Sequence, residues 1–210
     1  MLRQSADEIL WLEFRKYFEA FVIGDVEKSL QAKIEVGTII LTTVGIECLS
    51  GYYAGEEADR KHFVEFVQEF MPAYASYADD VYTCVRNGLA HDYVIKENPT
   101  NKRSFVFKRD HGEPHLSPTS VNPNVIYLNR ETYARDFLEA QRQYFAKVES
   151  DQSLWDKAMK RLRNQKGFLT VRSEEQLVAR PRGSSLSPAS MSASAIGLAT
   201  GTSAKPPEIP

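Results

Sequence analysis

The sequence has few of the residues that build disulfide and metal sites. Its 210 residues include two cysteines, Cys48 and Cys84, and four histidines. No Cys-x-x-Cys spacing is present, which argues against a disulfide framework or a zinc site and indicates a reducing compartment. His111 and His115 lie among carboxylates in one short segment but match no established ligand spacing. We therefore predict an ordinary polar turn and no metal there, with a metalloprotein built on these histidines as the alternative.

The chain also lacks a long apolar run. Its central charge-free stretch covers the eleven residues 36–46, fewer than the roughly 20 that a membrane-spanning helix needs. We expect a central helix buried on several sides. Glu47 ends the stretch and is expected to be solvated or paired, or else to face a functional site. Residues 1–8 are polar and charged, so we expect no signal peptide and predict a cytoplasmic protein that does not contact a membrane.

A strong excess of charge is missing as well. The formal net charge is -2 and the pI is about 6.1, so the chain has no overall attraction to nucleic acid and would need a local basic patch to bind RNA. Lys102, Arg103, Lys108 and Arg109 make one segment basic. We predict this segment as a secondary RNA-binding surface.

The first half of the chain carries helical patterns. Ser5 and Glu8 form a capping box that predicts the start of a first helix. Gly24 then separates it from a second helix over residues 25–50, which Gly51 ends. Two further amphipathic helices are predicted over residues 56–71 and 76–93, the last with an apolar stripe at helical spacing. Four helices with short connections predict an antiparallel bundle.

The pattern changes after residue 93. Residues 104–109 and 125–129 are predicted as short strands, and we interpret them as a two-stranded β-hairpin inserted at about residues 100–129. Asn129 is predicted to cap a fifth helix and Ser153 a sixth. The fold class is therefore mainly α, with a single domain over residues 1–172. A disordered tail rich in Ser, Ala, Gly and Pro is predicted over residues 173–210.

The candidate functional residues lie at the end of the fourth helix, in the sequence Val-Arg-Asn-Gly-Leu-Ala-His-Asp-Tyr of residues 85–93. Asn87 and His91 are four residues apart and share a helix face, whereas Arg86 and His91 are five apart and rotated by about 140°. We expect Arg86 and His91 to flank a groove rather than to stack on one helix face. An imidazole can move protons and a guanidinium can clamp a phosphate with two hydrogen bonds.

Arg86-Asn87-x-x-x-His91 resembles the R-x4-6-H signature of HEPN domains. With Tyr93, it also resembles the R-x4-H-x-Y form of HEPN toxins that are paired with nucleotidyltransferase antitoxins. The resemblance covers residues 6–93 and implies a helical bundle acting as a metal-independent endoribonuclease without a cofactor. It further implies a homodimer in which Arg86 and His91 of both subunits, with Asn87, line one cleft. In the toxin branch the tyrosine is modified by nucleotide transfer, which implies a regulatory or supporting role for Tyr93 and a nucleotidyltransferase antitoxin as partner.

The same residues can instead have purely structural roles. Arg86 can be a solvated surface cation, His91 a cap at the helix C-terminus, and Tyr93 the first core residue of the next segment. The alternative function is a non-catalytic helical module that binds a nucleotide or a partner protein through the same groove.

Overall fold

The computed structural model describes residues 5–109 and 114–165, and in this part the chain is mainly helical with one small parallel sheet. The predicted tail and the turn around His111 lie outside the described residues. The helices are α1 (Ala6–Tyr17), α2 (Gly24–Gln31), α3 (Glu35–Ala54), α4 (Arg60–Phe70), α5 (Ala78–Asp80), α6 (Asn87–Asp92), α7 (Arg130–Ser150) and α8 (Gln152–Asn164). The described residues also form two π-helical segments, π1 (Phe18–Ile23) and π2 (Val81–Arg86), and a 3-10 turn (Pro72–Tyr74). The two strands are β1 (Ser104–Lys108) and β2 (Val125–Asn129).

The first helix begins as predicted but runs further. The Ser5 hydroxyl accepts from the Glu8 backbone N–H, and the Glu8 carboxylate accepts from the Ser5 N–H, which confirms the capping box. The predicted break at Gly24 is wrong, because α1, π1 and α2 follow one another without interruption and Gly24 has a helical φ of -58°. One glycine costs a helix only about 1 kcal/mol, which packing overrides. The chain turns instead after Gln31, where Lys33 has a φ of 55°.

The central helix α3 also continues past its predicted end. Gly51 lies within it, and the helix ends at Gly55, whose φ of 80° is left-handed. A Cβ on Gly51 would lie 3.0 Å from the Glu56 carbonyl oxygen, so Gly51 allows the chain that leaves the helix to pass close behind it. The sequence predicts Gly51 as the end of the helix, whereas in the fold its missing side chain allows close packing.

Helix α3 is buried on several sides, as predicted, because α2, α4, α7 and α8 all pack against it. By length and composition it is apolar enough to cross a membrane, yet 56% of its apolar window is buried inside the fold. One stripe is uncovered: Ile34, just before the helix, is 52% exposed, Leu41 36% and Val44 48%.

Aromatic side chains pack α1 against the last two helices of the described residues. The Trp11 ring of α1 lies 5.3 Å from Phe145 of α7 and 6.0 Å from Trp155 of α8. Burying each large side chain stabilises the fold by about 1.5–3 kcal/mol. Asn129 caps α7 as predicted, accepting from the Thr132 N–H. The predicted Ser153 cap of α8 is wrong, because Asp151 takes that position and accepts from two backbone N–H groups.

The two predicted strands exist but do not form a hairpin. They pair in parallel, with Ser104 opposite Val125 and Lys108 opposite Asn129. Residues 116–119 instead run antiparallel to β2, where the Leu116 N–H donates to Tyr127 at 2.7 Å. The segment that does run antiparallel to β2 contains Pro118. Because a proline has no N–H and a fixed φ, a sequence pattern with proline does not predict a strand. The hairpin prediction is therefore corrected to a parallel pair joined by a connection that doubles back.

Candidate functional site

The predicted cluster lies on one continuous helical run, in which α5, π2 and α6 follow one another. Arg86 is the last residue of π2, and the next residue, Asn87, donates its backbone N–H to the Tyr82 carbonyl, five positions earlier. A π-helical turn places side chains differently from an α-helical one and occurs frequently at functional sites. The sequence pattern gave no sign of this turn, since its apolar stripe fits an α-helix equally well.

Gly88 and Tyr93 shape the end of this helix. Tyr93 is the C-cap with a left-handed φ of 56°, and the chain then crosses back over the helix, where the Val94 N–H donates to the Gly88 carbonyl at 3.2 Å. A Cβ on Gly88 would overlap the Val94 carbonyl oxygen, far inside 3.0 Å. Only glycine therefore fits between Asn87 and His91 on this path. The helical pattern of the sequence assigns no role to Gly88, because it contains no sign of the chain that crosses over the helix.

Arg86 and His91, which were predicted to flank a groove rather than to stack, contact each other through the ends of their side chains. Arg86 Nη1 lies 3.3 Å from His91 Nε2 and 3.0 Å from Asn87 Oδ1. The long arginine side chain folds along the helix surface and cancels the rotation between the two backbone positions. A guanidinium only donates hydrogen bonds, so Arg86 Nη1 is the donor in this contact and His91 Nε2 the acceptor.

Glu47 of α3 completes the cluster. Its carboxylate accepts from Arg86 Nε at 2.9 Å and from Nη2 at 2.6 Å, a bidentate pair. The hydrogen bonds from Glu47 raise the pKa of Arg86 above its ordinary value. The Arg86 guanidinium carbon also lies 5.6 Å from the centre of the Tyr82 ring. Glu47 thus fixes the cation in place. Its only sequence signal was its position as the first charge after a long charge-free stretch.

The site is open to solvent. His91 is exposed, and the side chains of Arg86 and Glu47 are 23% and 18% exposed. Tyr93 is 66% exposed, so its alternative assignment as a core residue is wrong. The structure therefore brings Arg86, Asn87 and His91 together at the surface, and Tyr93 follows as the exposed C-cap of α6.

The four basic residues of the predicted RNA surface each have a partner. Lys102 pairs with Glu97 at 3.5 Å, and Arg109 pairs with Glu35 at 2.7 Å. Arg103 contacts the buried Asp80 at 3.2 Å, and Lys108 lies 5.0 Å from an aromatic ring centre. These cations stabilise their own loop and strand. RNA binding by this surface stays a prediction.

His115 and the two cysteines are at least partly buried. His115 Nδ1 accepts from the Asn129 backbone N–H at 3.0 Å, and burial lowers the pKa of the imidazole. Its proposed partner ligand, His111, lies outside the described residues. Over residues 5–109 and 114–165, no three His, Cys, Asp or Glu side chains are grouped to hold a metal. Burial raises the pKa of both Cys48 and Cys84 to about 12, so neither thiol ionises at neutral pH.

The arrangement offers a cation of a kind that can bind phosphate, an imidazole beside it and a carboxylate that orients the cation. These groups suit acid-base chemistry on a phosphodiester. Compared with family models, curated proteins and solved structures, the chain finds no match in any of the three.

Proposed function

We propose that the protein is a metal-independent endoribonuclease of HEPN type, built as an antiparallel helical bundle and acting as a homodimer. The observation that carries the proposal is the contact of Arg86 Nη1 with both His91 Nε2 and Asn87 Oδ1 at an exposed helix end. Cleavage needs a base for the 2′-OH proton, a cation for the phosphorane and a donor for the leaving oxygen. His91 and Arg86 supply the first two, and the second subunit's pair supplies the donor.

The hydrogen bonds of Arg86 suggest how a phosphate would enter. Arg86 donates from Nε and Nη2 to Glu47 and from Nη1 to Asn87 and His91. A phosphate has two oxygens and more charge than these neutral acceptors, so it would replace Asn87 and His91 at Nη1. His91 Nε2 would then have a free lone pair next to the bound phosphate. Binding would thereby create the general base at the place where it is needed, while Glu47 keeps the guanidinium in position.

The uncovered stripe of α3 supports the homodimer. Leu41 and Val44 lie on the same helix as Glu47, with Val44 three residues before it. Apolar side chains left exposed in a row are typical of a surface that another molecule covers. A second copy docked on this stripe would bring its own Glu47 and Arg86 close to the first pair, as a shared cleft requires.

A toxin or defence role belongs to the same proposal. Tyr93 is exposed, so its hydroxyl is accessible to a nucleotidyltransferase antitoxin. Transfer of a nucleotide to this hydroxyl would inactivate the enzyme. We propose RNA as substrate, no cofactor and a cytoplasmic location.

One observation favours the alternative function. The Glu47 carboxylate already neutralises Arg86 with two short hydrogen bonds, and a neutralised cation is a weaker phosphate ligand. A non-catalytic helical module that binds a nucleotide or a partner protein through this surface would tolerate such pairing.

Labelled single-stranded RNA incubated with the full chain in EDTA distinguishes the two. We expect cleavage by the wild type and a loss of at least 100-fold in rate with His91→Ala, since general base catalysis contributes about 10²–10⁴-fold. His62→Ala is the matched control, because among the described residues the polar partners of this ring are Glu56, Asp59 and the Glu57 carbonyl, none of them in the candidate site. Cleavage that survives His91→Ala, or wild-type protein that leaves the RNA intact, excludes the ribonuclease.

A further inference from the structure

A cleft of about 410 Å³ lies between the first helical run and α7, away from Arg86 and His91. One wall is the stripe Glu19, Ile23 and Glu27, which are four residues apart and so share a face. The other wall is formed by Gln141, Phe145 and Glu149 at the same spacing. Each wall thus has an apolar centre with polar groups at both ends.

Gln141 indicates that something binds there. Its side chain lines the cleft and is only 5% exposed. Within residues 5–109 and 114–165 its amide has no hydrogen-bond partner, although Arg142 and Gln143 beside it both bond to Glu139. Because Gln141 lines the cleft, its amide is available to a ligand that enters there.

The charges of the cleft favour a cation. Arg15 is already bound to Glu149 and lies over the Phe145 ring, 5.3 Å from its centre. Arg142 pairs with Glu139 outside the cleft at 3.2 Å. Glu19 has only a longer contact with Arg15, at 3.6 Å, and no ion pair is recorded for Glu27 in the described part of the chain. The charge left unbalanced is therefore negative.

The spacing of the two carboxylates excludes a small metal ion. Glu19 and Glu27 are eight residues apart, which is roughly 12 Å along a helix, whereas Mg²⁺ binds its oxygens at about 2.1 Å. A cation that reaches both carboxylates must be elongated, and its middle must be apolar to lie against Ile23 and Phe145. These are the properties of a linear aliphatic polyamine.

We propose that this cleft binds a linear polyamine. Terminal ammonium groups of the ligand pair with Glu19 and Glu27, its methylene groups pack on Ile23 and Phe145, and an N–H donates to Gln141 Oε1. The π1 segment contributes Glu19 and Ile23 to this wall, so the wider helical turn is part of the site.

Titration calorimetry of the full chain with spermidine, at constant ionic strength, tests the proposal. We expect one saturable site per chain and a loss of about tenfold in affinity with Glu27→Gln, because a charge-assisted hydrogen bond contributes about 1.5–3 kcal/mol. Glu13→Gln is the matched control, since Glu13 is exposed on α1 and does not line the cleft. Putrescine, which is too short to reach both carboxylates, is expected to bind at least fivefold more weakly than spermidine.

Gln141→Leu gives a second measurement. It should weaken spermidine binding without lowering the melting temperature, because the amide it removes has no partner. If that variant fails to fold, Glu19→Gln on the opposite wall replaces it. The proposal is overturned by heats that do not saturate, by equal losses in Glu13→Gln and Glu27→Gln, or by Mg²⁺ that displaces spermidine at equal ionic strength.

Discussion

The pair between Glu47 and Arg86 makes a quantitative prediction, because its environment is intermediate between surface and core. The two side chains are 18% and 23% exposed, and both carboxylate oxygens accept hydrogen bonds. Exposed ion pairs contribute about 0–1 kcal/mol, while breaking a fully buried pair costs about 3–5 kcal/mol. We therefore expect Glu47→Ala or Arg86→Ala to lower the free energy of unfolding by about 2 kcal/mol.

A double-mutant cycle separates the pair from the individual side chains. Each single variant leaves the other charge half-buried and unpaired, whereas the double variant leaves none, so its loss should be smaller than the two single losses added together. We expect a coupling free energy of about 2 kcal/mol. Urea unfolding followed by the fluorescence of Trp11 and Trp155, which both lie in the described core or packed against it, measures each variant.

The control cycle uses Lys61 and Glu65, an exposed pair four residues apart on α4 whose charged atoms are 3.8 Å apart. We expect a coupling of about 0.3 kcal/mol there. If the Glu47 and Arg86 cycle gives no more than this control, the bidentate contact does not persist in solution. The proposed orientation of the guanidinium would then lose its support.

Three further outcomes are expected. Gly88→Ala should lower the free energy of unfolding by about 2–3 kcal/mol, because its Cβ overlaps backbone, whereas Gly24→Ala, with its nearest atom at 3.5 Å, should be neutral or stabilising in the same urea assay. Val44→Asp, at an exposed position, should leave the melting temperature unchanged but shift sedimentation from dimer to monomer; an unchanged sedimentation coefficient contradicts the proposed interface. Hydrogen bonds from Arg60 lower the pKa of Asp79. The ionised carboxylate therefore stabilises the fold above about pH 4, and this contribution is lost as pH falls through the pKa of the folded state. Asp79→Asn should make the free energy of unfolding, measured with urea, less dependent on pH across that range.

Local signals in the sequence predicted the features that local interactions determine. The Ser5 capping box and the Asn129 cap each use atoms within three residues of one another, so a short pattern specifies them. The strand positions were also predicted, because the β-branched and aromatic residues are contiguous. The two strands also pair with each other, but the antiparallel orientation was predicted wrongly, since the segment that runs antiparallel to β2 contains Pro118 and does not have a strand pattern.

Helix ends were predicted poorly where tertiary packing decides them. Gly24 and Gly51 both lie inside helices, although each is a plausible stop by composition. Gly55 and Gly88 take the roles that the pattern did not assign, one as a left-handed cap and one beneath a crossing chain. A glycine shows that the backbone can turn or approach closely, but only the surrounding chain decides which of these happens.

The candidate site shows the same division between backbone and side chain. Five residues of α-helix rotate the backbone by about 140° and rise about 7.5 Å, which places Arg86 and His91 on different faces when only the backbone is considered. A long flexible side chain removes that restriction, and its direction depends on what holds it. Here Glu47, from a helix 39 positions earlier, holds Nε and Nη2, so the remaining Nη1 edge points along the helix to His91. The contact between the two signature residues therefore depends on a carboxylate outside the motif, and a sequence with the same motif but no such carboxylate need not form it.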